Sequence, residues 1–464
     1  MPSPSRPPRT HRTIATTATA VTVGVTAAVA GVLCGVAPAQ ATTPAGAHPS
    51  AASVVGGGAY VPVTPRRSMD TRTGLGLGRV AKVGPGQTVT VPLAGRAGIP
   101  GAGAASAVVV NLTETNNTAG SYLTAYPAGL PQRPGTSSLS FAGRSTQSNL
   151  VTVPLSADGK VAIYNAAGST DVVVDVVGYY ATDVSTTYGG LQTLPPSRVF
   201  DSRDAGVAFQ DGDGVDIALD FTTSGNPNAN DQVRAFVVNL SAANPTSGGY
   251  FKAWATGQTP ATTPSLTFRP GVDGGSLAII ERGDSASLPS MTFDASVGGG
   301  SANLLIDLVG VFTAPGASAD ARFTPLETPI RVVDTRSTTS PNLAAAQTRE
   351  LSAPTLGGPT TTALAANLTI VGPTAPTYVT VYPGDLTTRP TVSSINAGRG
   401  TIVANGAILG LSSPRTTPDL KAYNAVGTTP FVIDVTGTFQ SAPGVAAARA
   451  PQWSKARVEA TRTR

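Results

Sequence analysis

Three aspartates recur at the centres of apolar runs, in Val172-Val173-Val174-Asp175-Val176-Val177-Gly178-Tyr179-Tyr180, Leu304-Leu305-Ile306-Asp307-Leu308-Val309-Gly310-Val311 and Phe431-Val432-Ile433-Asp434-Val435-Thr436-Gly437-Thr438. A second set of carboxylates opens the same three stretches of chain, in the triplets Asp70-Thr71-Arg72, Asp201-Ser202-Arg203 and Asp334-Thr335-Arg336. Two carboxylates converging on a cleft can hydrolyse a glycosidic bond, one as acid and the other as base or nucleophile. Here each pair comes with an arginine and the set occurs three times, which favours a structural ion pair. The only histidines, His11 and His48, and the only cysteine, Cys34, all precede residue 59. Ser-His-Asp and Cys-His catalysis, His-ligated zinc and thiolate metal sites are thereby excluded from the rest of the chain. The chain reads as non-enzymatic, with no catalytic residue, metal or cofactor.

A β-branched run too short for a membrane span reads as a strand buried on both faces. Side chains alternate along a strand, so Asp175 shares a face with Val173 and Val177 and points inward. A buried carboxylate needs a donor or a cation. Of the markers recurring in all three copies, the triplet supplies the cation, so the expected pairs are Arg72 with Asp175, Arg203 with Asp307 and Arg336 with Asp434. Asn111, Asn239 and Asn367, in the strand markers Asn111-Leu112-Thr113, Asn239-Leu240-Ser241 and Asn367-Leu368-Thr369, are expected to assist by bonding nearby backbone. The competing reading makes the triplet a surface turn in which Asp70 caps its own backbone.

Aromatics two positions apart suggest binding: Tyr122-Leu123-Thr124-Ala125-Tyr126, Tyr250-Phe251-Lys252-Ala253-Trp254 and Tyr378-Val379-Thr380-Val381-Tyr382. Alternation puts Tyr122, Thr124 and Tyr126 on one face and Leu123 and Ala125 on the other. An exposed row of this kind suits sugar rings, which stack on aromatics through their C–H faces. The ligand-binding candidates are therefore Tyr122, Thr124, Tyr126, Tyr250, Trp254, Tyr378, Thr380 and Tyr382; the alternative packs the tyrosines under a loop with their hydroxyls satisfied. Asp211-Gly212-Asp213-Gly214-Val215-Asp216 lacks the twelve-residue calcium loop with its closing glutamate and reads as a turn. Arg282-Gly283-Asp284 reads as a surface turn.

These residues fall on a pattern repeated three times at a period of roughly 130 residues, long enough for each copy to bury its own core. With 52 Gly, 39 Pro and 12% charged residues in 464, the composition suits turn-rich β structure. About eight short strands per repeat, bounded by turn signals such as an expected hairpin turn at Asp158-Gly159, predict three tandem antiparallel β-sandwich domains, jelly-roll-like or immunoglobulin-like. The expected boundaries are a signal peptide over 1–41, a flexible leader over 42–58, sandwiches over 59–183, 189–314 and 320–440, and a disordered basic tail over 441–464. Short Pro/Gly/Ser links between copies would allow hinge motion.

Arg6, Arg9 and Arg12, an apolar segment from Ile14 to Val36 and then Ala39-Gln40-Ala41 form the three regions of a secretory signal. A retained anchor ranks below this reading, because Thr and Gly interrupt the segment. The net charge of +5 resides at the ends: residues 42–448 sum to −2. With no basic face, no nucleic-acid partner is expected.

At these markers the chain resembles a repeat of secreted actinobacterial proteins, built from Asp-Thr-Arg, Asn-Leu-Thr, Tyr-x-Thr-x-Tyr-Pro, Tyr-Asn and Asp-Val-x-Gly-Tyr-Tyr. The likeness covers nearly all the chain beyond the signal. Repeat 1 fits best, with Tyr122 to Pro127, Tyr164-Asn165 and Asp175 to Tyr180 in place, while repeat 2 has Phe293-Asp294 where Tyr-Asn is expected. The resemblance implies a modular extracellular or loosely wall-associated protein and supplies no catalytic residue. Two functions follow as expectations: a structural or interaction protein of the cell surface, or a lectin-like binder of wall or environmental glycans. Neither needs a membrane span in the mature chain.

Overall fold

The computed structural model describes residues 58–183, 188–317, 320–337, 340–352, 356, 358–413, 415 and 418–441, with the backbone of 457–463. The expected signal peptide and nearly all of the expected leader lie outside the described residues. Everything described belongs to one compact unit, His48–Arg464, and the fold is 57% strand and 1% helix.

Repeat 1 contributes β1 (Tyr60–Asp70), β2 (Thr88–Pro92), β3 (Ala105–Thr115), β4 (Ser121–Pro127), β5 (Leu139–Phe141), β6 (Gln147–Pro154), β7 (Lys160–Asn165) and β8 (Asp171–Ala181), which form two sheets of order β1-β8-β3-β6 and β2-β7-β4-β5. Repeat 2 contributes β9 (Leu191–Asp201), β10 (Gly214–Asp220), the short α1 (Ala229–Gln232), β11 (Val233–Ala243), β12 (Gly249–Ala255), β13 (Leu266–Phe268), β14 (Gly274–Glu281), β15 (Gly283–Ser285), β16 (Leu288–Val297) and β17 (Asn303–Thr313). Repeat 3 contributes β18 (Arg322–Asp334), β19 (Gln347–Leu351), β20 (Thr361–Val371), β21 (Thr377–Pro383), β22 (Ile395–Ala397), β23 (Ile402–Gly410), β24 (Leu420–Asn424) and β25 (Phe431–Gln440), and a last strand, β26 (Arg457–Thr463), follows. The sheets β14-β11-β17-β9 and β18-β25-β20-β23 match the first sheet of repeat 1. The sheets β13-β12-β16-β10-β26, with β15 on β16, and β19-β24-β21-β22 match the second.

Six small sheets in one unit overturn the expectation of three tandem β-sandwich domains: the chain is organised as a six-blade β-propeller of small sheets. The physical reason lies in the strands that are apolar on both faces. Val172, Val174 and Val176 of β8, with Val108, Val110 and Leu112 of β3, pack on the second sheet of their own repeat. The opposite face carries Ala107, Val109 and Tyr180, which join Ala235, Val237, Phe312, Ala363, Ala365 and Phe439 in one core shared by all three repeats. Fully burying a Val or Phe side chain contributes about 1.5–3 kcal/mol, so the repeats gain more by sharing that face than by hinging apart.

The shared core is centred on aromatics from strands opening and closing the repeats. Tyr60 stacks on Phe312 with ring centroids 4.5 Å apart, and Tyr180 stacks on Phe323 at 4.1 Å. A bulge in β8, where the pairing steps from Val109↔Gly178 to Val110↔Val176, turns Tyr180 toward this core. The glycine two residues earlier makes room: a Cβ on Gly178 would collide with the Tyr60 hydroxyl, and one on Gly437 would collide with the Phe323 ring.

Two smaller expectations also change. The Asp158-Gly159 turn joins β6 to β7, which lie in different sheets, so it is a crossing and not a hairpin. The tail 441–464, expected to be disordered, contains β26, which pairs with β10.

Candidate functional site

Each repeat carries a polar row across its first sheet, fixed by strand register. Arg67, Asp175 and Asn111 lie opposite one another on β1, β8 and β3; Arg198, Asp307 and Asn239 do so in repeat 2, and Arg331, Asp434 and Asn367 in repeat 3. The guanidinium meets the aspartate as a fork. Nε donates to Oδ1 at 2.9, 2.5 and 2.8 Å in the three repeats, and Nη2 donates to Oδ2 at 3.3, 3.2 and 3.1 Å. Such bidentate, charge-assisted bonds are among the strongest a carboxylate can accept.

The expected pairing of Arg72, Arg203 and Arg336 with these aspartates is therefore wrong. The triplet's aspartate ends the first strand and the next two residues turn away, so that the arginine forks back onto its own aspartate: Arg72 Nε and Nη2 donate to Asp70 at 2.9 and 2.7 Å, and its backbone N–H donates at 3.0 Å. Arg203 on Asp201 and Arg336 on Asp334 repeat this geometry. The competing reading, of a turn capped by Asp70, describes the triplet better. The two systems are joined, because Nη1 of Arg67, Arg198 and Arg331 also donates to Asp70, Asp201 and Asp334, at 3.1, 2.8 and 3.4 Å. Two arginines and two aspartates per repeat make each network neutral. The Arg72 fork holds the Asp70 carboxyl below the usual carboxylate range. Burial pushes Asp307 and Asp434 up, against the pull of Arg198 and Arg331. The middle hydroxyl of the triplet takes part as well. Thr71, Ser202 and Thr335 accept from the backbone N–H groups of Val172, Leu304 and Phe431 at the start of the Asp-centred strand.

The same rows stitch neighbouring repeats. Asn111 Nδ2 donates to the Pro264 carbonyl at 2.8 Å, and Asn367 Nδ2 donates to that of Ser137 at 2.7 Å. The Ser393 N–H donates to Asp307 at 3.3 Å, and a backbone bond from Ser137 stabilises ionised Asp434. The equivalent residue of repeat 2 is Pro264, which has no N–H to give. A second set of bonds runs in parallel. Asn149 takes the Gly406 N–H at 2.6 Å and donates to Asn367 at 2.9 Å, and Asn405 takes the Leu277 N–H at 3.1 Å. The corresponding residue of repeat 2 is Ser276, whose hydroxyl bonds the adjacent Leu277 carbonyl instead. The aspartate row thus holds β1, β9 and β18 to their sheets and holds the repeats to each other. None of Ser137, Asn149, Ser393 and Asn405 is among the sequence markers.

The tyrosine strands keep the expected alternation, with Leu123 and Ala125 in the core, but their other face is not an open row. Thr124 and Thr380 are fully buried and donate to the carbonyls of Thr136 and Val392, at 2.8 and 2.5 Å. Tyr126 and Tyr382 are buried as well. Tyr122, Tyr250, Trp254 and Tyr378 remain half-buried. What reaches the surface is a different grouping, which periodicity alone did not bring together. Tyr122 lies 6.3 Å from Tyr164, and the Arg133 guanidinium covers the Tyr164 ring at 4.1 Å. Tyr378, Tyr423 and Arg389 reproduce it at 6.2 and 4.0 Å. In repeat 2, register places Lys252 and Asp294 where Thr124 and Tyr164 stand, 3.8 Å apart as an ion pair.

One further buried carboxylate belongs to repeat 1 alone. Glu114 accepts from Asn117, Ser145 and Thr170 at 2.7, 3.3 and 3.3 Å, yet burial pushes its carboxyl up to about 7. The Asp211–Asp216 stretch is a turn at Asp211-Gly212 that runs into β10 from Gly214. Asp211 accepts from Ser296 and Val297, Asp213 accepts from Gln210, and Asp216 accepts from Thr292. Arg282 forks onto Asp284. A narrow cleft where repeat 1 meets repeat 3, between Ser137, Thr152, Asn367 and Asp434, holds no more than a water-sized guest. Among the described residues, no group of three or more His, Cys, Asp or Glu could hold a metal ion, and no helix is long and apolar enough to cross a membrane.

No family model matches this chain, and no curated protein matches it. Among solved structures, it is similar to a chain from "Life in the extremes: atomic structure of Sulfolobus Turreted Icosahedral Virus", at 9% identity and a TM-score of 0.16 over 77% of this chain and 84% of that one. It is also similar to a chain from "The Triple Jelly Roll Fold and Turret Assembly in an Archaeal Virus", at 10% identity and a TM-score of 0.17 over 83% and 90%.

Proposed function

We propose that this chain is a secreted, non-catalytic structural and interaction protein of the cell surface or extracellular space, with wall polymers or glycans as its partners and no nucleic-acid role. One observation carries the non-catalytic part. The recurring carboxylates that could have served a hydrolase are each engaged by an arginine of the same neutral network, and those networks hold strands and repeats together. The compartment rests on the N-terminal secretion signal and on the resemblance to secreted repeats. Expression of the full chain in a secreting actinobacterial host tests it: the mature protein should appear outside the cell with residue 42 at its N-terminus. Retention in the cytoplasm sinks the compartment. Glycan hydrolysis that is lost in Asp307→Asn while the fold survives sinks the non-catalytic reading.

A lectin-like role is the second reading, favoured by the twin Tyr122–Tyr164–Arg133 and Tyr378–Tyr423–Arg389 clusters. An aromatic face beside a guanidinium offers stacking and hydrogen bonding to a sugar. A glycan array with the mature protein and with Tyr122→Ala and Arg133→Ala variants tests it. Binding that both substitutions abolish, at unchanged melting temperature, supports the reading; an array with no signal removes it.

A further inference from the structure

The second sheets of repeats 1 and 3 end on β2 and β19, whereas that of repeat 2 continues past β10 to β26. The difference is written in the edge strands. β2 reads Thr-Val-Thr-Val-Pro with Thr88 and Thr90 exposed, and Pro92 has no N–H to offer a newcomer. β19 reads Gln-Thr-Arg-Glu-Leu, with Gln347, Thr348 and Glu350 exposed and Arg349 between them. Proline and charge are the usual guards of a free edge. β10 reads Gly-Val-Asp-Ile-Ala-Leu-Asp, without Pro, Lys or Arg, and Val215, Ile217, Ala218 and Leu219 are buried. Its only charges are Asp216 and Asp220, and Val215, Ile217 and Leu219 fill the core of repeat 2, so its backbone edge has no proline to refuse another strand.

β26 occupies that edge in seven consecutive antiparallel pairs, from Gly214↔Thr463 to Asp220↔Arg457, with no register shift. It is tethered through residues 442–456, a stretch containing Pro443, Gly444 and Pro451. A tether presents its strand at an effective concentration on the order of millimolar, so the chain's own strand outcompetes a separate molecule in dilute solution.

We propose that β26 is a removable plug over a self-association edge: when it leaves, β10 pairs antiparallel with β10 of a second copy. The edge already accepts an antiparallel partner. A two-fold axis at Ile217 would set Gly214 opposite Asp220, Val215 opposite Leu219 and Asp216 opposite Ala218, so no two like charges face each other. Such an isologous contact closes at two copies. The C-terminal strand would thereby set the oligomeric state, and any processing that shortened the C-terminus would release it.

The test compares the full chain with a variant ending at Ala456, by light scattering across a wide range of concentration. The full chain should be monomeric and the shortened one dimeric, and a synthetic peptide of residues 457–463 should return the shortened chain to monomer. Hydrogen exchange should show residues 214–220 protected in the full chain and in the dimer. If the shortened chain unfolds, Ala460→Pro in the full-length chain breaks the ladder without removing residues and should dimerise in its place. A folded shortened or Ala460→Pro chain that stays monomeric overturns the proposal. So does a full chain that dimerises as readily as the shortened one.

Discussion

Repeats 1 and 3 meet across a seam of asparagine and serine, whereas repeats 1 and 2 meet across one containing Pro264 and Ser276. At the first, Asn149 spans to Asn367 and Gly406, and Ser137 serves both Asn367 and Asp434. At the second, Asn111 still reaches the Pro264 carbonyl, but Pro264 has no N–H to give and Ser276 stands in place of an asparagine. The apolar core is shared by all three repeats, so the seams differ in polar bonding and not in whether they close. Repeat 2 also lost the tyrosine–arginine stack and left the β10 edge to be covered by β26. Hydrophobic burial thus fixes the ring, while polar residues distribute its strength unevenly around it.

The sharpest division lies within each network, between the arginine on the strand and the arginine in the turn. Asp307 is 0% exposed, so Arg198→Ala leaves a buried carboxylate without its fork and should cost roughly 3–5 kcal/mol by chemical denaturation. Arg203 is 47% exposed, and Arg203→Ala should cost under about 1 kcal/mol. Equal losses from the two would break the division. Next in size is an effect confined to repeat 1. The folded-state pKa of Glu114, about 7, stands above its ordinary 4.5, so its contribution is fully present below pH 4.5 and is lost as pH rises through 7. The loss should reach about 3 kcal/mol at alkaline pH. Glu114→Gln should flatten that slope; Ala242 and Ile370 hold the equivalent positions in repeats 2 and 3. An unchanged slope in Glu114→Gln would place the titration elsewhere.

Much of this was legible in the chain. The runs around Asp175, Asp307 and Asp434 announced strands buried on both faces, and that same feature argued against self-contained domains: a strand such as Val108-Val109-Val110 needs a second apolar neighbour. The need of Asp175 for a cation was equally readable, but its source was misplaced by five residues. Arg198 and Arg331 precede their triplets by three positions, and Arg67 does so in repeat 1. The register that sets them opposite the aspartates depends on a bulge between Arg67 and Met69, which leaves no periodic trace. The tyrosine face failed for a related reason. Alternation assigned Tyr126 and Thr124 correctly away from the core, but both are buried, Thr124 against the loop whose Thr136 carbonyl it bonds, and loops that cover a face leave no mark on the strand beneath. The seam residues were invisible because they meet across separations of more than eighty positions.

The smaller effects bear on the seams. Asn405 donates to the Ser394 carbonyl at 2.7 Å and takes the Leu277 N–H, so Asn405→Ala strands two buried groups and should cost about 1–3 kcal/mol. Ser276→Ala removes one local bond and should cost less. The finest comparison is Pro264→Ser, which places a backbone N–H where Ser137 and Ser393 have theirs. The gain is one bond to Asp175, about 0.5–1.5 kcal/mol, set against about 0.4–1 kcal/mol from the lost restriction of the unfolded chain. The two nearly cancel, so global stability should barely move. Hydrogen exchange separates them, because the new N–H should be protected and the amides of 263 and 265 should exchange more slowly than in the parent. Faster exchange there would mean that the proline, by rigidity, already holds the seam as firmly as a hydrogen bond does.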